Sequence, residues 1–125
     1  MFAEAGGLAK LSGAMVSVID CERGLFESSD VSRLYRRPSS FAPRTRLVVT
    51  EQTSNLGGGA IWPVEQLADV AKTAQELGLS VHMDGARALN ASVATGIDLA
   101  TYTNHHDSAW LAFTKGLGCP VGAVL

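Results

Sequence analysis

The sequence predicts an α/β fold with a mainly parallel sheet, and three neighbouring segments support that prediction. Residues 47–50 form a short, continuously apolar run, which is typical of a strand buried on both faces. Residues 63–77 place apolar side chains at three- and four-residue spacing, which indicates an amphipathic helix. A second apolar run follows at 79–83. A strand, a helix and a strand in this order predict one right-handed βαβ unit.

The bulk properties favour a single domain of ordinary size. A chain of 125 residues is long enough for one domain. Hydrophobic residues make up 46% of it and charged residues 18%, and the mean hydropathy is +0.15. This composition suggests strands buried on both faces or an uncovered interface. The net charge of −2 gives no indication of a nucleic-acid or anionic-membrane partner.

The sequence carries no signal for secretion or membrane insertion. It has no run of about 18 apolar residues, and residues 1–7 lack the basic start of a signal peptide. Cys21 and Cys119 have no metal-binding spacing and need no disulfide. We therefore expect a cytoplasmic protein that makes no membrane contact.

The first third of the chain predicts short elements. Residues 1–13 are compatible with a short helix or a tightly packed loop. The run at 14–19 is rich in β-forming residues and predicts a strand. Ser29 and Asp30 are candidate caps for a short helix that runs to Tyr35.

Arginines cluster at the end of that short helix, where positive charge suits the helix dipole. They are Arg33, Arg36 and Arg37. A solvated face explains this cluster better than a phosphate site does. Pro38 and Pro43 predict a loop after it.

The central helix has clear predicted ends. Pro63 stands at a tolerated first-turn position, and Gly78 supplies the C-terminal stop. Before this helix, residues 51–55 follow the end of a predicted strand, where open α/β sheets place ligands. Residues 57–59 are three glycines and predict a tight turn. No Gly-Lys-Ser/Thr follows them, so the pattern is not a phosphate loop.

Short helices and strands are predicted for the remainder of the chain. Residues 88–94 are compatible with a helix that ends near Gly96. Residues 98–102 predict another short helix, capped by the aspartate at its start. The apolar runs at 108–113 and 120–125 predict two more strands.

Three charged residues follow predicted strands at positions suited to pyridoxal phosphate chemistry. Asp84 closes one strand, Arg87 stands three residues later, and Lys115 ends another strand inside a glycine-rich turn. A lysine can form a Schiff base with the aldehyde, and a carboxylate can keep the pyridine nitrogen protonated. An arginine can bind the phenolate oxygen or a substrate carboxylate. Each residue alone also has a simpler explanation: Asp84 and Arg87 as a structural ion pair, Lys115 as an exposed turn residue.

The histidines and tryptophans are better explained by structure than by catalysis. His82 alternates with the aspartate two residues on and is expected to be a hydrogen-bonded core histidine. His105 and His106 lie in a polar segment without a third ligand, so we expect surface residues and no metal site. Trp62 and Trp110 are expected in the core or at an interface.

Two longer motifs resemble a known family. Residues 82–91 (His-Met-Asp-Gly-Ala-Arg-Ala-Leu-Asn-Ala) and 114–122 (Thr-Lys-Gly-Leu-Gly-Cys-Pro-Val-Gly) look like those of the low-specificity L-threonine aldolases. Residues 4–7 and 45–59 resemble the same family in the correct order. The resemblance implies a fold-type I pyridoxal phosphate enzyme of the β-eliminating lyase group. It also implies helices on both faces of a mainly parallel sheet, with an antiparallel last strand.

The resemblance further implies a role for each charged residue. Lys115 matches the Schiff-base lysine, Asp84 the aspartate on the pyridine nitrogen, and Arg87 the arginine near the phenolate and the substrate carboxylate. The implied reaction cleaves β-hydroxy-α-amino acids, so that threonine or allo-threonine gives glycine and an aldehyde. The implied assembly is a homodimer or homotetramer.

The sequence departs from this family in two ways. Ser54 takes the place of a histidine that contacts the region of the substrate hydroxyl in many members. Family members are also much longer, so residues 1–125 are expected to be a partial large domain with little aldolase activity alone. The N-terminal phosphate-binding segment and the C-terminal small domain are expected to be absent from it. The alternatives are another fold-type I lyase or aminotransferase, and a non-catalytic interaction protein.

Overall fold

A four-stranded mixed sheet forms the centre of the molecule in the computed structural model, which describes residues 4–125. The strands, in their order across the sheet, are β1 (Leu47–Glu51), β2 (Ser80–Asp84), β3 (Ser108–Ala112) and β4 (Ala123–Val124). β1, β2 and β3 are parallel, whereas β4 is antiparallel to β3. The predicted α/β class and the antiparallel last strand are confirmed.

Helices connect or precede these strands. They are α1 (Gly7–Ser12), α2 (Ser28–Leu34), α3 (Val64–Glu76), α4 (Ala88–Thr95) and α5 (Leu99–Thr103). Short 3-10 turns cover Glu4–Gly6 and Glu22–Gly24. Within residues 4–125 no helix is long and apolar enough to cross a membrane.

The ends of α3 follow the prediction closely. Pro63 is its N-cap, and Leu77 is its C-cap. Gly78 comes next with a φ of 70°, a left-handed conformation that glycine adopts without a steric penalty. The helix buries one face, with Leu67 and Val70 less than 2% exposed. β1, α3 and β2 therefore form the predicted βαβ unit.

The N-terminal end of α2 differs from the prediction. Glu27, and not Ser29, is the capping residue. Its side chain accepts from the main chain of the first turn, and the Asp30 carboxylate accepts from Glu27 N–H at 3.1 Å. This reciprocal arrangement satisfies two N–H groups that a helix start leaves unpaired. Asp30, predicted as a cap, takes part instead as the third residue of the first turn.

The predicted strand at 14–19 is wrong. The structure has neither strand nor helix there, and Met15 and Val18 are 78% and 58% exposed. A strand needs a neighbouring strand to accept and donate its main-chain hydrogen bonds. The sheet of residues 4–125 provides no such neighbour for this run, so β propensity alone does not make it a strand.

The described hydrophobic core lies on one face of the sheet. Val48, Val81 and Met83 point into a cluster that α3, α4 and α5 cover. Trp62 is fully buried in this cluster, as predicted for a core aromatic. On the opposite face, Leu47 is 50% exposed. The buried face fixes the strands and so positions the residues at their ends.

Candidate active site

The three parallel strands end at one edge of the sheet, here called the carboxyl edge. The register pairs Glu51 of β1 with Asp84 of β2, and Asp84 with Trp110 of β3. The segments that follow these strands therefore start close together. Open α/β sheets bind ligands at such an edge. The structure thus places the residues predicted from sequence where a site can form.

Asp84 is half-buried and is held through both its main chain and its side chain. Gln52 N–H donates to the Asp84 carbonyl oxygen at 2.8 Å. Ala86 N–H donates to the carboxylate Oδ1 at 3.1 Å. Within residues 4–125 no hydrogen bond reaches Oδ2. One carboxylate oxygen is therefore fixed by the protein, and the other can accept from a ligand.

Gly85 allows the chain to turn from β2 into α4. Its N–H donates to the Trp110 carbonyl oxygen at 3.0 Å. A Cβ atom at Gly85 would lie 2.5 Å from that same oxygen and 3.2 Å from the Leu111 side chain. Only glycine fits this close approach of two main chains. The turn is thereby fixed, and Asp84 with it.

Arg87 is the half-buried N-cap of α4. Its N–H donates to the Gln52 carbonyl oxygen at 3.1 Å, which ties the start of α4 to the end of β1. Asp84 and Arg87 form no ion pair; in the described part of the chain the single ion pair joins Arg33 to Asp30. The simple explanation of a structural salt bridge therefore does not hold. The guanidinium group remains available to an anionic ligand.

Gln52 is a residue of this edge that the sequence analysis did not single out. It is fully buried. Trp62 N–H donates to its Oε1 at 3.1 Å, and its Nε2 donates to the Trp62 carbonyl oxygen at 3.4 Å. Its main chain bonds to both Asp84 and Arg87. Its position could have been predicted to be functional, because Gln52 is a polar residue directly after the strand β1.

Lys115 is exposed in a turn that follows β3. Its carbonyl oxygen accepts from Gly118 N–H at 3.0 Å. The Phe113 carbonyl accepts from Cys119 N–H at 3.0 Å, and Phe113 N–H donates to the Gly122 carbonyl at 2.9 Å. These bonds close the turn and leave the lysine amine without a protein partner in residues 4–125. The exposed-turn explanation and a cofactor lysine are both compatible with this geometry.

The turn of Lys115 packs against α4. A Cβ atom at Gly116 would lie 2.5 Å from Asn90 Oδ1 and 3.0 Å from its Cγ. Asn90 lies in the first turn of α4 (Ala88–Thr95), whose N-cap is Arg87. The two sequence motifs are therefore in direct contact at Asn90 and Gly116, and Lys115 follows a strand that ends at the same edge as the strand of Asp84.

Ser54 lies beneath the loop that contains Gly57 and is only 4% exposed. A Cβ atom at Gly24 would collide with Ser54 Oγ, and one at Gly57 would collide with the Arg23 carbonyl oxygen. Arg23 Nε donates to the Gly57 carbonyl oxygen at 3.3 Å. The turn at Glu22–Gly24 thus packs tightly against the glycine loop at residues 57–59, and Ser54 is enclosed between the two.

The histidines do not join the carboxyl-edge residues. His82 is half-buried and bonds through Nδ1 to Ser108 Oγ at 2.8 Å, so the prediction of a hydrogen bond is confirmed. His105 is exposed as predicted. The surface prediction is wrong for His106, which is half-buried and bonds through Nε2 to Thr50 Oγ1 at 3.0 Å. Burial, and then the neighbouring His105, lower the pKa of His106 below its ordinary value of 6.5.

Within residues 4–125 no group of three His, Cys, Asp or Glu side chains is placed to hold a metal ion. The edge instead presents a carboxylate oxygen, a guanidinium group and an amine. A guanidinium group can bind an organic anion, an amine can react with an aldehyde, and a carboxylate can accept a hydrogen bond from a protonated ring nitrogen.

Comparisons with known proteins identify the family to which the chain is similar. A family model described as beta-eliminating lyase matches residues 1–125. The low-specificity L-threonine aldolase of Candida albicans is 38% identical over 98% of this chain and 33% of its own length. The low specificity L-threonine aldolase of Escherichia coli K12 is 36% identical over 98% of this chain and 36% of its own.

A solved structure shows the same fold. A candidate L-allo-threonine aldolase from Listeria monocytogenes aligns with a TM-score of 0.81 and 25% identity. The alignment covers 98% of this chain and 32% of that one. The chain therefore spans about a third of the length of the relatives it matches.

Proposed function

Because the chain belongs to the beta-eliminating lyase family, we propose that it forms the cofactor-binding centre of a pyridoxal phosphate-dependent threonine aldolase. The proposed substrates are β-hydroxy-α-amino acids such as threonine and allo-threonine, which are cleaved to glycine and an aldehyde. The relatives are about three times as long, so the proposal concerns these residues within a protein of the relatives' length. A homo-oligomer is part of the same proposal.

One observation supports the proposal: Asp84, Arg87 and Lys115 all follow parallel strands that end at the carboxyl edge, and each keeps a charged atom without a protein partner within residues 4–125. Asp84 keeps one carboxylate oxygen free, and the Arg87 guanidinium and the Lys115 amine have no ion pair within the described residues. These are the groups that fit the ring nitrogen, the phenolate or carboxylate, and the aldehyde of the cofactor. The residues present therefore fit pyridoxal phosphate.

Each residue has a defined task in the proposed reaction. The bound cofactor would supply an electron sink for the pair of electrons left when the bond between Cα and Cβ breaks. Asp84, oriented by Ala86 N–H, would hold a proton on the ring nitrogen. Lys115 would attach the cofactor covalently and carry a proton to or from the substrate Cα. Arg87 would orient the substrate by pairing with an anionic oxygen.

Ser54 is not suited to accept the proton of the substrate hydroxyl. A serine hydroxyl is not a base near neutral pH, because its own proton is held too tightly. Ser54 is also enclosed by Gly24 and Gly57, so little of its surface can meet a substrate. A bound water or a histidine from outside this part of the protein would have to accept that proton.

A labelling experiment tests the proposal directly. The chain has three lysines, Lys10, Lys72 and Lys115, and all are exposed. After incubation with pyridoxal phosphate and reduction with borohydride, peptide mapping should find the adduct mainly on Lys115. Lys115→Ala should remove that adduct, whereas Lys72→Ala on the surface of α3 should not. Equal labelling of all three lysines would show that the chain shapes no cofactor site.

The choice of substrate needs a protein of the relatives' length. Another fold-type I lyase or an aminotransferase would use Asp84 and Lys115 in the same way. Product analysis with threonine, an aromatic amino acid and an acidic amino acid separates these activities. Glycine formed from threonine supports the aldolase proposal, and keto-acid products would support the alternative.

A further inference from the structure

A second groove lies at the opposite edge of the sheet, where β1 and β2 begin. We call it the amino-edge groove, and its volume is 430 Å³. Its lining residues come from the segment that enters β1 and from the turn that enters β2: Arg44, Thr45, Arg46, Leu47, Gly78 and Ser80. β2 runs from Ser80 to Asp84, so this groove is roughly 13 Å from the carboxyl edge.

Main-chain hydrogen bonds hold the walls of the amino-edge groove in place. Ser80 N–H donates to the Arg46 carbonyl oxygen at 3.0 Å. Thr45 N–H donates to the Arg36 carbonyl oxygen at 3.1 Å, and Arg36 N–H donates to Thr45 Oγ1 at 3.0 Å. The segment that carries Arg44 and Arg46 is therefore hydrogen-bonded to the start of β2 on one side. On the other side it is bonded to Arg36, two residues after the end of α2.

The groove lies in the most basic part of the chain. Residues 31–50 contain five arginines and no aspartate or glutamate, although the whole chain has a net charge of −2. Arg33 is paired with Asp30, but Arg44 and Arg46 are exposed and have no ion pair within residues 4–125. Two unpaired guanidinium groups in one groove repel each other, and an anion between them would relieve that repulsion.

The groups that line the groove suit a phosphate. Guanidinium groups present planar pairs of N–H donors that match phosphate oxygens, and each such charge-assisted bond is stronger than a neutral one. The Ser80 hydroxyl, at the start of β2, is a further donor on the same wall. A volume of 430 Å³ lies within the range of small-molecule sites and exceeds the needs of a phosphate alone.

We propose that the amino-edge groove binds a phosphate-bearing small molecule, with Arg44 and Arg46 as its principal contacts. Leu47 and Gly78 leave room beside the arginines for the organic part of such a ligand. The site is separate from the carboxyl edge and does not depend on the proposed aldolase activity. Bound ligand would join the entry of β1 to the entry of β2 and so stabilise the βαβ unit.

Titration of the isotope-labelled 125-residue chain with inorganic phosphate tests the site. Ionic strength is kept constant with sodium chloride, because screening alone would otherwise change weak electrostatic binding. The expected result is a saturable shift of the amide signals of residues 44–47 and 78–80. Arg44→Gln together with Arg46→Gln should weaken binding by about tenfold or more.

A charge-matched control distinguishes a site from general attraction. Arg36→Gln together with Arg37→Gln removes the same charge from the same basic segment, but neither side chain lines the groove. This control should bind phosphate about as well as the unchanged chain. Arg44→Lys together with Arg46→Lys keeps the charge and removes the planar fork, so it should bind more weakly than the control.

Three results would overturn the proposal. The first is the absence of a saturable shift, and the second is an equal loss of binding in the two glutamine double variants. The third is binding of a single-stranded oligonucleotide through the same residues without any saturable response to phosphate, since this would assign the basic segment to nucleic acid. If the glutamine variant at Arg44 and Arg46 does not fold, the lysine variant decides between the outcomes.

Discussion

Gly116 lies directly against the side chain of Asn90, because a Cβ atom on the glycine would be 2.5 Å from Asn90 Oδ1. This contact joins the turn that carries Lys115 to helix α4, whose N-cap is Arg87. The two residues are 26 positions apart in the chain. Their close approach holds the turn of the candidate cofactor lysine against the helix that follows Asp84 and Arg87.

Gly116→Ala should therefore displace the Lys115 turn. The added methyl group must push away either the Asn90 side chain or the turn itself, and overpacking of this kind costs about 1–3 kcal/mol. We expect a lower free energy of unfolding in urea and weaker pyridoxal phosphate labelling of Lys115. Both quantities can be measured on the same preparation.

Two matched variants show whether the clash is the cause. Gly7→Ala adds the same methyl group in α1, where no atom lies within 4 Å, and should leave both measurements unchanged. Asn90→Ala combined with Gly116→Ala removes the obstructing side chain and should restore labelling. Failure of this double variant to recover would contradict the steric explanation.

Asp84→Asn should separate cofactor attachment from catalysis. The amide oxygen can keep the hydrogen bond from Ala86 N–H, so the fold and the labelling of Lys115 should persist. The negative charge that the proposed function places beside the ring nitrogen would be lost, and the cofactor would then be a weaker electron sink. In a protein of the relatives' length we expect glycine formation from threonine to fall by about 10²-fold or more.

Asp98→Asn is the matched control for that change. Asp98 is exposed at the N-cap of α5 and its side chain makes no capping hydrogen bond. The same loss of one charge there should leave the rate of glycine formation unchanged. Equal rates in the Asp84 variant and the unchanged protein would remove Asp84 from the proposed mechanism.

Much of the sheet could be predicted from the sequence because local patterns determine it. The periodicity of α3 and the stop at Gly78 indicate a helix of the right length, and the apolar runs beside it indicate strands. The prediction of a strand at 14–19 was wrong because a strand depends on a neighbouring strand, and a local sequence pattern does not reveal one. The position of Asp84 followed correctly, since it directly ends a predicted strand.

The contacts that form the site were not accessible to sequence reasoning. Gln52 and Trp62 exchange two hydrogen bonds, and Asn90 meets Gly116, only because the fold brings distant segments together. The burial of His106 has the same origin, since Thr50, its hydrogen-bond partner, is 56 positions away. Residue type predicts what a group can do, and the tertiary fold decides what it meets.

Gly57→Ala should push the turn at Glu22–Gly24 away from the glycine loop at 57–59 and so expose Ser54. Its Cβ atom would collide with the Arg23 carbonyl oxygen, which is main chain and cannot rotate away. We expect a loss of stability of about 1–3 kcal/mol and a displaced turn at Glu22–Gly24. Cys21 precedes that turn and is half-buried, and burial followed by the charges of Asp30 and Asp20 raises the pKa of its thiol.

Thiol alkylation measures that displacement. Cys21 should react faster in the Gly57 variant than in the unchanged chain, because the thiol gains exposure and thiolate character. The exposed Cys119 serves as an internal control, and its rate should not change. Gly58→Asn adds a larger side chain where no atom lies within 4 Å, and asparagine tolerates the φ of 73° there. Equal Cys21 rates in all three proteins would show that the turn does not depend on the Gly57 contact.

His106 should make the stability of the fold depend on pH. Burial, and then His105, lower the pKa of the imidazole in the folded protein. The Thr103 main chain acts against this shift, the charge of His82 adds to it, and that of Asp107 opposes it. The unfolded chain therefore takes up the proton first as the pH falls through 6.5, the ordinary value. Stability is then fully present above that value and decreases below it, because the unfolded state binds more protons.

The structure gives a physical reason for this penalty. His106 Nε2 is bonded to Thr50 Oγ1, and Nδ1 is buried without a partner. Protonation would place a charge and a second N–H donor on a ring that burial separates from water, and the Thr103 carbonyl offsets only part of that cost. Urea unfolding between about pH 7.5 and about pH 5.5 should show a smaller loss of stability in His106→Gln than in the unchanged chain. His105→Gln, at an exposed position, should keep most of the loss, and an unchanged slope in His106→Gln would assign the pH dependence to other groups.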